Sequence, residues 1–129
     1  MKRRKSMQVT IETIIENAGR LDEYKLAKEA GDYFYLKAIV AGYMPLVIEA
    51  LGNGEVSVAH YYEQNGDLMR DPEYVFSANW QPVEVTMDAV GLYKRADNGY
   101  RLNTGGFIDI WSRNLRHQGF TDNDVKFVS

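Results

Sequence analysis

The sequence predicts an α+β domain, an antiparallel meander of five or six strands with an N-terminal helix and a C-terminal helix packed on the sheet. Three observations carry that expectation. Across residues 33–102 apolar side chains alternate with others in short runs, the period of a half-buried strand. The runs are separated by Gly, Asn, Asp and Pro, which supply the backbone angles of tight turns. At either end, around 10–30 and 106–118, apolar positions recur at three- to four-residue spacing, as on one side of a helix.

Taken in order, Thr10 is the expected N-cap of a first helix that buries Ile11, Ile14, Ile15 and Ala18 and stops at Gly19. Residues 21–30 form a second, short amphipathic helix with Leu21, Tyr24 and Leu26 to bury, ended by Gly31. Strand chemistry starts at Tyr33, with Phe34, Leu36, Ala38 and Val40 on one face and Tyr33, Tyr35 and Lys37 on the other. After a turn at Ala41-Gly42, residues 43–51 return with Met44, Leu46, Ile48 and Ala50 in phase. Gly52-Asn53-Gly54 marks a hairpin tip, because these residues accept positive φ at little cost. Val56, Val58, His60 and Tyr62 then share a face, and residues 64–72 read as a loop. Strands follow around Tyr74, Phe76, Ala78 and Trp80, around Val83, Val85 and Met87, and over 90–96, with a tight turn at Asp97-Asn98-Gly99. A closing helix over 106–118, capped by Asn103 or Thr104, presents Phe107, Ile110, Trp111 and Leu115 inward.

Residues 1–8 are expected to be a disordered basic end, 9–120 one domain, and 121–129 a short tail. At 129 residues, with 45% hydrophobic and 26% charged residues, the chain is long enough for a self-sufficient core. Cysteine is absent, which excludes disulfides, thiolate metal sites and a Cys nucleophile, and suits the reducing cytoplasm. No apolar run approaches the roughly 20 residues that span a bilayer. Glu12 and Glu16 stand where the apolar core of a signal peptide belongs. A cytoplasmic protein without membrane contact is therefore expected. The net charge is −3, and Lys2, Arg3, Arg4 and Lys5 supply four of the fifteen cations, leaving the remainder at −7. An acidic body disfavours nucleic acid as a partner, unless residues 2–5 act as a basic arm.

The richest polar segment runs from His60 to Glu73 and holds an imidazole with Glu63, Asp67, Asp71 and Glu73. Four carboxylates on a loop can converge on a hard cation, but their spacing departs from the calcium-loop pattern. Asn65-Gly66 and Asp71-Pro72 are also ordinary turn formers, and turn chemistry is the preferred reading; no metal and no cofactor are expected. As catalytic candidates His60, Asp67, Asp71 and Glu73 need a partner within hydrogen-bond reach. Tyr33, Tyr35, Tyr43, Tyr61 and Tyr93 fall opposite the core face, where they suit either a partner surface or a covering helix. Gly105-Gly106 is read as a flexible helix entry. None of the familiar nucleotide, hydrolase or zinc motifs is present.

The stretch VSVAHYYEQNGDLMRDPEYVF over 56–76, the later Trp80-Gln81-Pro82 and the closing Gln118-Gly119-Phe120 resemble an uncharacterised domain family of bacterial mobile elements, including phages and integrative conjugative elements. The resemblance spans about residues 36–120, and its most specific part is the YEQNGD…DPE core. It implies a bacterial or phage cytoplasmic setting and carries over no activity or catalytic residue. Three functions are ranked on these grounds. The first is a non-enzymatic module that binds another protein. A hydrolase or metal-dependent enzyme centred on His60 and residues 63–73 comes second, and a nucleic-acid binder using the basic arm third.

Overall fold

In the computed structural model, residues 5–96 and 101–129 are described. Two helices open the chain, α1 (Ser6–Asn17) and α2 (Leu21–Ala30). Six strands follow: β1 (Tyr33–Ile39), β2 (Leu46–Leu51), β3 (Val56–Gln64), β4 (Asp67–Phe76), β5 (Pro82–Met87) and β6 (Leu92–Arg95). Helix α3 (Phe107–His117) and a short strand β7 (Lys126–Val128) close the fold. The strands form one antiparallel sheet in the order β6-β5-β4-β3-β2-β1-β7. The α+β meander expected from the sequence is present, with seven strands among the described residues against the five or six expected. No helix among the described residues is long and apolar enough to cross a membrane.

All three helices cover the same sheet face. Phe34, Leu36, Ala38, Leu46, Ile48, Val56, Val58, Tyr74 and Phe76 point into a single core. Ile11, Ile14, Ile15, Tyr24, Trp111, Leu115 and Phe120 meet them from the helical layer. The alternation along β1 is visible in its burial, with Phe34, Leu36 and Ala38 buried between more exposed neighbours.

Several local expectations are corrected. Helix α1 begins at Ser6, not after a Thr10 cap, so the expected disordered end over 1–8 loses Ser6, Met7 and Gln8 to the helix. Met7 is buried, and Thr10 lies inside the helix, where its hydroxyl meets the Ser112 hydroxyl at 2.8 Å. The tail over 121–129 contains β7, which pairs with Lys37, Ala38 and Ile39 of β1. Tyr43 and Met44 precede β2 as exposed turn residues, and Trp80 sits in the turn after β4 with φ of 62°. Leu26 and Ile110, expected to be buried, face solvent. Helix α3 takes no side-chain cap; Gly106 enters it at φ 85°, and the Asn103 side chain accepts instead from the Gly105 N–H. The expected turn at Asp97-Asn98-Gly99 and the basic residues Lys2, Arg3 and Arg4 lie outside the described residues.

Tyr24 shows what the helical layer costs. Its ring packs edge-on against Phe34 at 5.4 Å, while its hydroxyl is buried with no hydrogen-bond partner among the described residues. An orphaned buried hydroxyl costs about 1–3 kcal/mol. Tyr24→Phe is therefore expected to leave stability unchanged or raise it by up to about 1 kcal/mol, read from the midpoint of chemical denaturation. A loss above 1 kcal/mol would show that the hydroxyl is satisfied.

Candidate functional site

The polar segment expected to be a loop is a hairpin. β3 runs out to Gln64, a two-residue turn follows at Asn65 (φ 53°) and Gly66 (φ 85°), and β4 starts at Asp67. Two adjacent positive-φ residues match the right-handed twist of the flanking strands, which is why Asn-Gly serves here. The pairing slips by one residue between Ala59 and Tyr61, where Asp71 and Pro72 together oppose His60. Such a bulge accommodates a proline that has no N–H to give to a central ladder.

Pleating separates His60 from Glu73, which pairs with the preceding residue, Ala59. His60 points into the covered face and is 7% exposed, between Trp111 and Phe120 at ring distances of 5.7 and 5.9 Å. Its Nδ1–H donates to the carbonyls of Met44 at 3.1 Å and Pro45 at 3.4 Å. Burial depresses its pKa below the ordinary histidine value, with the backbone carbonyls and the Asp71 carboxylate opposing that shift. Burial thus favours the neutral ring, which holds the irregular chain before β2 against β3.

Glu73 projects from the opposite, uncovered face. It accepts from the Ser57 hydroxyl at 2.6 Å and pairs with the Arg70 guanidinium at 3.1 Å. Arg70 also grips Asp88, through its backbone N–H at 2.8 Å and its Nε at 3.1 Å. Those bonds hold the Asp88 carboxyl below the usual carboxylate range. Asp88, absent from the sequence candidates, is thus the anchor that ties the turn after β5 to β4. Asp67 and Glu63 are exposed near the hairpin tip. Among the described residues no three His, Asp or Glu side chains converge where a metal ion could sit.

The tyrosines fall into a clearer arrangement. The uncovered face has a floor of small or branched residues, Val47, Ser57, Ala59, Val75 and Thr86, buried beneath longer neighbours. Tyr35 and Tyr61 stand over that floor and flank an open depression of about 390 Å³, completed by Lys37, Val47, Glu49 and Leu68. Tyr61 is half-buried, and desolvation first, then the Glu73 and Glu49 carboxylates, pushes its phenol up to about 12. Tyr33 donates its hydroxyl to Glu49 beside the depression. Tyr93 bonds Glu84 at 3.0 Å on β6, at the far edge of the sheet, and Tyr43 lies in the turn before β2. Leu68, 64% exposed, was hidden from sequence reasoning because its segment read as loop.

Three helices laid on one side of an antiparallel seven-stranded sheet, with the other side open, define an α+β domain whose free surface is the sheet itself. The chain belongs to the family described as a domain of unknown function, DUF6908, whose model matches residues 9–121. No curated protein and no solved structure matches it.

His60 makes stability depend on pH in a defined direction. Its folded pKa lies below the unfolded value, so acidification protonates the unfolded chain first. Stability is expected to be retained above about pH 6.5 and to fall as pH drops below it, by at most about 1.4 kcal/mol per pH unit for one proton. Urea denaturation between pH 7.5 and 5 measures this, and His60→Gln should flatten the slope. An unchanged slope would place the titration elsewhere.

Proposed function

We propose that the protein is a non-enzymatic accessory module that binds another protein through the uncovered face of its sheet. One observation supports this reading above others: the depression flanked by Tyr35 and Tyr61, with Leu68 exposed at its rim. Aromatic side chains with a polar tip over an apolar floor are the composition of protein-binding hot spots. Other long side chains of the face pair with one another, Arg70 with Glu73 and Asp88, and Arg95 with Glu55 and Glu84. The depression keeps Glu49, Glu63 and Lys37 at its margin. The partner segment suited to it carries an apolar anchor beside a basic side chain, which would meet the two carboxylates. A bacterial cytoplasmic setting within a mobile element is the context in which that partner is sought.

The test is affinity capture from a bacterial host lysate with the wild type, with Tyr35→Ala/Tyr61→Ala, and with Lys25→Ala on the helical side as control. The expected result is a partner retained by wild type and control and depleted at least tenfold by the tyrosine variant, with the melting temperature of all three within a few degrees. Capture that is indifferent to the tyrosines would overturn the reading.

A further inference from the structure

The acidic body conceals a local reversal of charge. On the helical side, between the start of α1, the turn after β4 and helix α3, lies an open cleft of about 1160 Å³. Lys5, Arg101, Arg113 and Arg116 line it, against Asp109 as the one acid among its described residues. Elsewhere the fold neutralises its arginines: Arg20 pairs with Glu23, Arg70 with Glu73 and Asp88, and Arg95 with Glu55 and Glu84. The three arginines of the cleft have no carboxylate partner among the described residues.

Their arrangement differs from that of loose surface charges. Arg116 is held in place, its Nε donating to the Thr10 hydroxyl at 2.7 Å and its Nη2 to the Ser6 carbonyl at 3.4 Å, with no partner for Nη1 among the described residues. Ser112, fully buried, braces the same cluster through the hydroxyls of Ser6 and Thr10. That network aims a guanidinium from α3 across to α1. Arg113 stands beside it on α3, exposed and without a partner among the described residues, and Arg101 comes from the strap that leads into α3. The first turn of α1 opens on the cleft with no acidic residue and no side-chain cap, adding its positive end to the four cations. Guanidinium groups with free N–H pairs recognise the paired oxygens of phosphate.

We propose that this cleft binds phosphate groups, supplied by a nucleic-acid strand or by a free nucleotide. The inference goes beyond the protein-docking reading, uses the opposite side of the molecule, and does not depend on it. No aromatic ring is exposed among the cleft's described residues to stack on bases, so recognition is through phosphate and is indifferent to sequence.

The probes are a fluorescein-labelled oligo(dT) of twenty nucleotides, read by anisotropy, and ATP alone, read by its displacement of the oligonucleotide and by calorimetry. Three phosphate contacts on a single strand predict a roughly 20-fold loss of affinity between 50 and 200 mM salt. Arg101→Ala/Arg113→Ala is expected to weaken binding by roughly tenfold and to flatten that salt slope, since both contacts are charge contacts. Both side chains are exposed, with no partner among the described residues, so the thermal midpoint should not move; Arg113→Gln alone serves if the double variant proves unstable. Lys25→Ala/Lys126→Ala removes the same charge away from the cleft and should leave affinity within about twofold. Oligonucleotide binding that ATP does not displace identifies a strand as the ligand, and equal loss of ATP binding in the variant identifies a nucleotide. No binding of either probe at 50 mM salt, or equal weakening by the two double variants, overturns the proposal.

Discussion

Trp111→Ala is expected to destabilise the protein by about 3–5 kcal/mol. Trp111 is 5% exposed and is the point where the closing helix meets the sheet. Its ring lies 5.8 Å from Tyr74, 6.0 Å from Phe107 and 5.7 Å from His60, so truncation removes one partner from each of three aromatic contacts. The cavity left would lie between α3 and β4, two elements that cannot close on each other without shifting the Arg116 and Ser112 bonds to α1. Limited relaxation puts the cost toward the upper end of the range. One term works the other way: the indole Nε1–H is buried with no hydrogen-bond partner, and its removal recovers part of a desolvation cost. Urea denaturation measures the difference, and a loss below about 1 kcal/mol would mean that α3 is peripheral to the core.

Phe120→Ala is expected to cost a similar 3–5 kcal/mol, for a different reason. Phe120 follows α3, is fully buried, and carries the chain back across the covered face toward β7. Its backbone N–H closes the end of α3 on the Leu115 carbonyl at 3.0 Å, and its ring packs beside His60 at 5.9 Å. Losing the ring admits water next to a buried imidazole, so the variant should also show a weaker fall in stability below pH 6.5 than the wild type, because the folded-state pKa of His60 would return toward its ordinary value. Denaturation midpoints at pH 7.5 and 5.5 read both effects. A variant as stable as the wild type would mean that residues 119–125 do not contribute to the core.

How far the sequence disclosed this molecule depended on whether the deciding partner was local. The limits of α2 were readable because Gly31, at φ 73°, ends the helix by its own backbone freedom. The hairpin at Gly52-Asn53-Gly54 was readable for the same reason, and so was the inward face of β1. Thr10 misled because its hydroxyl is used by Ser112 and Arg116, about a hundred residues away, rather than by the helix start. β7 was missed because three residues carry no period, and its existence rests on β1. The segment over 64–72 read as loop because its residues near the turn are exposed on both faces, which removes the alternation by which a strand is recognised. Nearness in sequence does not bring the candidate side chains together, because strand pleating sends His60 and Glu73 to opposite faces. The outward placement of Tyr35 was legible from the period of two in β1, whereas Tyr43 lies in a turn and Tyr93 on the edge strand β6.

The bulge at His60 also governs how this domain can vary. Inward of it, β3 and β4 are flanked by β2 and β5 and are committed to the core. Outward of it, the Tyr61 and Arg70 N–H groups still bond Pro45 and Asp88, but 62–64 and 67–69 pair with each other alone among the strands, as a two-stranded ribbon overhanging the sheet. Two-stranded ribbons are marginal on their own, and their amides open without the rest of the molecule. Length can therefore be added or removed there at little cost to folding, provided it comes as whole cross-strand pairs in steps of two. A change of one residue on either strand would turn Glu63 or Leu68 to the wrong side of the ribbon. The ribbon is thus the part of the domain in which the reach and composition of the open face are adjustable, while the register inward of His60 is not.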